Sequence, residues 1–216
     1  MTFASRLEAG RQLGLRLNEL AADVDLVAGL PRGGVVVAAA VAEVLHCPLD
    51  VIVVRKIGHP WHREFAVGAL AEDDVVILDW EVIASVPLAR TELEAVILEE
   101  KKRLQEYCVK FQPGRKAVFA GSRLLLVDDG LATGATAEAA VCSARKKQVR
   151  QVIVAAPVSS MGAWQRVARV ADRVVTCLTD PELNAVGEYY KRFSPTTDEE
   201  VLALLQRQHA DYRQAA

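Results

Sequence analysis

The chain has 216 residues, 51% apolar and 25% charged, with 26 Lys and Arg against 28 Asp and Glu for a formal net charge of −2. That length and apolar fraction suit a single α/β domain over residues 1–216 whose core needs no covalent staples, and they exclude an intrinsically disordered chain. The slightly acidic balance argues against nucleic acid as a partner, and no apolar run approaches the roughly 18–20 residues that span a bilayer, so the expectation is a soluble, cytoplasmic protein with no membrane partner.

Apolar positions Phe3, Leu7, Leu13, Leu17 and Leu20 recur near helical spacing, and Ser5 with Glu8 fits a capping box. An amphipathic helix over about 3–22, rather than a secretory leader, is the expected opening. Residues 26–30 form a short apolar run closed by Pro31-Arg32-Gly33-Gly34, and an alanine- and valine-rich stretch reaches His46. Strand, glycine turn and buried helix is the economical reading. Residues 51–54 repeat the strand signal and end at Arg55 and Lys56, after which 57–65, with Gly58, His59, Pro60, Trp61 and His62, has no periodicity and reads as a mobile loop. Residues 67–70 and 75–78 then flank Glu72-Asp73-Asp74 as a hairpin.

Thr91 and Glu94 suggest a capping box for a long helix that runs to Phe111 and is stopped by Pro113-Gly114. Residues 124–127 are a continuous apolar strand, followed by a glycine-bearing loop, an alanine-rich helix over 135–147 and a strand over 152–156, which is a βαβ unit. A helix over 162–171, a strand over 174–178 and a last helix over 198–213, with Thr197 and Glu200 as capping box, complete the alternation. Trp80 and Trp164, at helix starts, are expected to pack. Cys47, Cys108, Cys142 and Cys177 lack C-x-x-C spacing and are expected as buried free thiols. Strands this apolar are covered on both faces, so the fold class is α/β with a doubly wound, mainly parallel sheet.

In such sheets ligands gather beyond the carboxyl ends of the strands. The richest place there is Asp128-Asp129-Gly130-Leu131-Ala132-Thr133-Gly134-Ala135-Thr136. Two adjacent carboxylates at the end of a buried strand call for hydroxyls or cations to satisfy them. The small and hydroxyl residues after them open a helix, where unpaired backbone N–H groups and the positive dipole end favour a phosphate. The bland alternative is an Asp pair that caps a helix or binds a metal as in receiver-type domains.

The apolar strand, Asp128-Asp129 and Thr133-Gly134-x-Thr136 resemble the 5-phosphoribosyl 1-diphosphate motif of type I phosphoribosyltransferases. The resemblance covers nearly the whole chain, and the order of the parts is similar to a bacterial subgroup of predicted members whose acceptor is not evident. It implies a small hood on the sheet, with the long helix ending near Phe111 as an insertion that shapes the hood or a homodimer interface. It also implies that Asp128 and Asp129 hold the ribose 2′- and 3′-hydroxyls while residues 130–136 wrap the 5′-phosphate. Arg32 and the amides of Gly33 and Gly34 would then face the diphosphate, where glycine exposes N–H groups and arginine grips oxygens in a fork; the alternative is a tight turn with a surface arginine.

The same resemblance places a closing loop near 57–65, which makes Arg55 and Lys56 the candidate cations at the leaving group, with His59 and His62 as candidate phosphate donors. Mg²⁺ is the implied cofactor, carried through substrate oxygens with no dedicated protein metal site. A nitrogen acceptor, most simply a nucleobase, would displace diphosphate at ribose C1, and Tyr189, Tyr190, Phe193 and Trp61 are candidate stacking platforms for it. Two other functions would use the same anion sites: a regulator that senses the donor without turning it over, and a phosphohydrolase acting on a phosphosugar or nucleotide.

Overall fold

Strands in the middle of this molecule are apolar at every position because each residue, whichever way it points, meets a packed layer. A computed structural model describes residues 2–20, 23–112 and 118–215, with the backbone alone at 64 and 209–215. Five strands, β1 (Leu26–Gly29), β2 (Leu49–Val51), β6 (Arg123–Val127), β7 (Gln151–Ser160) and β8 (Arg173–Asp180), form one parallel sheet in the order β2-β1-β6-β7-β8. Leu124 and Leu126 of β6 enter one core while Leu125 and Val127 enter the other, and Leu26 and Val27 of β1 divide in the same way. That alternation between two apolar layers is the physical content of a doubly wound sheet.

One layer is built by α1 (Arg6–Glu19), α2 (Gly33–Leu45) and α7 (Asp198–Ala215), the other by α5 (Ala135–Lys146) and α6 (Met161–Ala168). A second, antiparallel sheet of β3 (Val54–His59), β4 (His62–Ala71) and β5 (Val75–Leu78) packs on α5. Short α3 (Trp80–Ala84) and long α4 (Arg90–Phe111) follow it in the chain.

Several expected elements are redrawn. The strand expected over 51–54 is divided between two sheets: β2 stops at Val51, Ile52 N–H donates to the Gly29 carbonyl (3.2 Å), Val53 N–H donates to the buried Glu72 carboxylate (2.8 Å), and β3 starts afresh at Val54. The stretch expected as a loop over 57–65 is paired backbone, with β3 and β4 running antiparallel to the His59–His62 pair and register shifts around Gly58. Its side-chain pattern is irregular because those shifts break the period of two, while the ladder uses only backbone groups. The hairpin expected around Glu72-Asp73-Asp74 is present as β4 and β5.

The first helix begins at Arg6 with Ser5 as its cap; Phe3 instead bridges to Tyr190, and Ala22 lies outside the described residues. In α4 Thr91 is inside the helix, and it is the Glu92 carboxylate that accepts the Ala89 N–H (3.1 Å); Pro113-Gly114 lie outside the described residues. The Thr197/Glu200 capping box of α7 is present in both directions, at 2.9 and 3.2 Å. The inserted helix α4 seats Leu93 and Val96 on Ile57, Val67 and Leu70, so it covers the antiparallel sheet. Trp80 is 67% exposed and does not pack as expected, while Trp164 is half-buried. All four cysteines are free, and each is half-buried rather than buried.

Candidate active site

Between β1 and β6 the order of the sheet reverses direction, so the loops after these two strands part and leave a crevice at their carboxyl ends. Both loops singled out by the sequence start there. Leu30 N–H donates to the Val127 carbonyl (2.9 Å), which fixes the start of the Arg32-Gly33-Gly34 turn beside the Asp pair. The Pro31–Arg32 peptide is cis, and α2 opens at Gly33. A Cβ placed on Gly33 would overlap Asp129 Oδ2 and lie 2.7 Å from Arg6 Nε, so a side chain there would have to displace the Asp129 carboxylate and the Arg6 guanidinium.

Asp128 and Asp129 stand side by side, and the Asp128 carboxylate accepts the Asp129 N–H (2.8 Å). Burial and the neighbouring Asp129 charge push the Asp128 carboxyl up to about 8, while Lys56 pulls it down. A carboxyl in that state is short of positive charge or hydroxyl donors. The rest of the loop is held by a β7 longer than the sequence suggested. Leu131 bridges to Ser159 through its N–H to the Val158 carbonyl and its carbonyl to the Ser160 N–H (2.9 Å each), and Ser160 Oγ donates to the Ala132 carbonyl (2.7 Å). Gly134, at φ +77°, turns the chain into α5, so the first-turn amides from Ala135 onward lie at the helix mouth with Thr133 and Thr136 beside them.

The candidate cations separate. Consecutive strand residues face opposite ways, and α4 lies on one side of β3. Arg55 points to that side: its Nε binds the buried Glu100 (2.6 Å) and its guanidinium lies 5.1 Å from the Tyr107 ring. Arg103 pairs with the same Glu100 at 2.9 Å. Arg55 is therefore held in a structural ion-pair cluster, contrary to the expectation that it faces the site. Lys56 is exposed, and its charge acts on Asp128. Arg32 is half-exposed and leans toward Asp198 Oδ1 (3.6 Å) at the start of α7, while Lys110 holds the other oxygen of Asp198 (2.5 Å).

His59 is not on an exposed loop. Only 5% exposed, it accepts the Trp61 N–H at Nδ1 (3.3 Å), and its Nε2 is buried without a partner among the described residues. His62 stacks on it at 5.9 Å, and Trp61 is 73% exposed at the hairpin tip. The aromatic platforms are also redrawn. Tyr190 is buried, its hydroxyl donates to the Asp129 carbonyl (2.6 Å), and its ring lies 5.0 Å from Phe193 and 5.6 Å from Phe3. One face of Phe193 is covered by the Arg6 guanidinium at 3.8 Å. Tyr189 keeps its half-buried ring, with its hydroxyl on Asp180 (2.6 Å).

Sequence reasoning missed Arg6, Ser160 and Asp198. Arg6 Nε binds Asp129 Oδ2 at 2.7 Å across 123 positions of chain, and no local motif announces it. The only signal for Ser160 was position, four residues past the expected end of its strand.

The family model for the phosphoribosyl transferase domain matches residues 7–192. A protein of Mycobacterium tuberculosis, provisionally named as a phosphoribosyl transferase and found in two strains, is 43% identical over 215 residues, covering 99% of this chain and 48% of its own. The chain thus spans about half the length of the curated relatives it matches. The crystal structure of TT1426 from Thermus thermophilus is similar over 96% of this chain and 99% of that one, at 38% identity and a TM-score of 0.76.

Proposed function

The chain belongs to the phosphoribosyl transferase family, and from that premise we propose that it transfers the phosphoribosyl group of 5-phosphoribosyl 1-diphosphate to a nitrogen acceptor of the nucleobase type, releasing diphosphate. The observation that carries this reading is the meeting of two anion-suited loops at one crevice, with Gly33 against Asp129. A donor with a phosphate at one end, a diol in the middle and a diphosphate at C1 matches that sequence of groups.

In the reaction the C1–O bond to diphosphate breaks, its electron pair leaves with the diphosphate oxygen, and the acceptor nitrogen closes on C1 as its proton passes to water. The protein's part is positioning and charge stabilisation. Amides at the mouth of α5, with Thr133 and Thr136, take the 5′-phosphate. Asp128 and Asp129 accept from the ribose hydroxyls, and the Arg32-Gly33-Gly34 turn receives the diphosphate, for which Arg32 leaves Asp198. Lys56 supplies positive charge as the leaving group gathers its own. Among the described residues no group of three or more His, Cys, Asp or Glu forms a metal cage. The Asp128-Asp129 pair instead suits Mg²⁺, which is held by one or two carboxylates and by substrate phosphates. When bound, the ion would neutralise diphosphate charge. Among the described residues no helix is long and apolar enough to cross a membrane.

Thermal unfolding with and without Mg²⁺ and the donor tests this, with ribose 5-phosphate as control. Donor at 100 times its dissociation constant should stabilise the protein by about 2.7 kcal/mol. A magnesium-dependent shift, followed by base-dependent diphosphate release, is the expected result. Donor hydrolysis at the same rate without any base would replace transfer by phosphohydrolase action, and a shift without turnover would leave a donor sensor.

A further inference from the structure

Three parts of the chain far apart in sequence meet at the Asp129 carboxylate: the diphosphate-side turn at Gly33, the strand-end pair, and the first residue of α1, Arg6. We propose that Arg6 is a positioning residue for the donor site, fixing the Asp129 carboxylate at the junction of the two loops in the orientation that receives the ribose. This rests on the phosphoribosyl reading above.

The guanidinium has three simultaneous anchors. Nε donates to Asp129 Oδ2 (2.7 Å), one terminal nitrogen donates to the Ser194 carbonyl (2.8 Å), and the plane lies on the Phe193 ring at 3.8 Å. With side-chain exposures of 12% for Arg6 and 18% for Asp129, water screens this pair weakly. Tyr190 holds the same residue by its backbone, through the hydroxyl-to-carbonyl bond at 2.6 Å. Asp129 is thus clamped at main chain and side chain alike, and both clamps come from outside the two loops.

Docking the start of the chain would be a sufficient purpose for Arg6 if nothing else did it. That task is already carried out by Phe3, whose N–H donates to the Tyr189 carbonyl and whose carbonyl accepts from Lys191 N–H (2.8 Å each), with its ring buried against Tyr190. What Arg6 adds is the contact with Asp129. A carboxylate loose by an ångström loses a hydroxyl, whereas one bonded to a guanidinium that is itself anchored on Ser194 and the Phe193 ring keeps it.

The test separates the ribose end of the donor from the diphosphate end. Affinities of the parent chain, Arg6→Ala and Arg6→Lys for 5-phosphoribosyl 1-diphosphate and for inorganic diphosphate, each with Mg²⁺, would be measured by calorimetry, with thermal unfolding alongside. Arg6→Ala should weaken donor binding about 10- to 100-fold, the range for removal of a supporting partner, and leave diphosphate within about threefold. Arg6→Lys, which keeps the charge but loses the second donor to Ser194 and the planar contact with Phe193, should fall between. Donor binding by Arg6→Ala equal to the parent's would overturn the role, as would equal weakening of both ligands. Should Arg6→Ala not fold, Arg6→Lys carries the same donor-selective criterion. A parent chain that binds no donor would overturn the phosphoribosyl reading itself, a result visible before any variant is made.

Discussion

The two regions that supply the candidate site are built on different principles. The strand-end loop over 128–136 is held by distant partners: β7 through Leu131 and Ser160, Tyr190 through the Asp129 carbonyl, Arg6 through its carboxylate. The β3–β4 hairpin that carries Lys56 is held at its base by α4 and α5, while its tip leaves Trp61 73% and Phe65 45% exposed. The loop proposed to recognise the donor therefore sits in a part of the molecule that global folding completes. The candidate cation Lys56 rides on a local element, where adjacent residues face opposite ways. Arg55 anchors the hairpin through Glu100, and Lys56 is exposed with its charge acting on Asp128.

The largest effect should come from breaking the fixed region. Asp128→Asn with Asp129→Asn should weaken the donor by about 100-fold or more, since two bonds to hydroxyls lose their charged acceptors, while circular dichroism stays that of the parent. Unchanged donor affinity would remove the pair from the ribose site.

Next in size is the contrast within the hairpin. Arg55→Ala leaves the buried Glu100 with a weaker set of partners, and should destabilise the protein by about 2–4 kcal/mol. Lys56→Ala should leave stability within about 0.5 kcal/mol, as expected for an exposed residue, and reduce kcat more than donor affinity. Reversed outcomes, with Arg55 kinetic and Lys56 structural, would mean that the hairpin faces the other way in solution.

A smaller effect follows from Asp128. Its folded carboxyl is raised to about 8, so the stability linked to it is full below about pH 4, where the unfolded chain also holds the proton, and is lost as pH rises toward 8. Asp128→Asn should remove that slope: without ligand, its melting temperature should exceed the parent's by a margin that grows from pH 6 to pH 9, about 2–4 °C per kcal/mol. Donor with Mg²⁺ favours the ionised carboxylate, so the parent should bind it more tightly at pH 8.5 than at pH 7 and release a proton in doing so. Calorimetry in buffers of different ionisation enthalpy would show the release, and none would place Asp128 already ionised. The smallest change is expected at the tip, where Trp61→Ala should move stability by less than about 0.5 kcal/mol.

By itself the sequence determined the layered sheet and the position of the candidate anion loop. A strand buried on both faces must be apolar at every residue, as in 124–127, and a strand-end anion loop is contiguous, so its acids, glycines and threonines appear together. The Gly33-Gly34 turn was legible for the same reason. Tertiary structure alone decided which side of β3 meets α4, and hence that Arg55 is structural; the residues 57–65 show this least, because an antiparallel ladder binds backbone to backbone whatever the side chains. It also decided that Arg6 reaches Asp129 over 123 positions and that Tyr190 and Phe193 support that pair instead of offering free faces. Such contacts depend on the paths of the intervening chain, and a local pattern of residues carries no record of them.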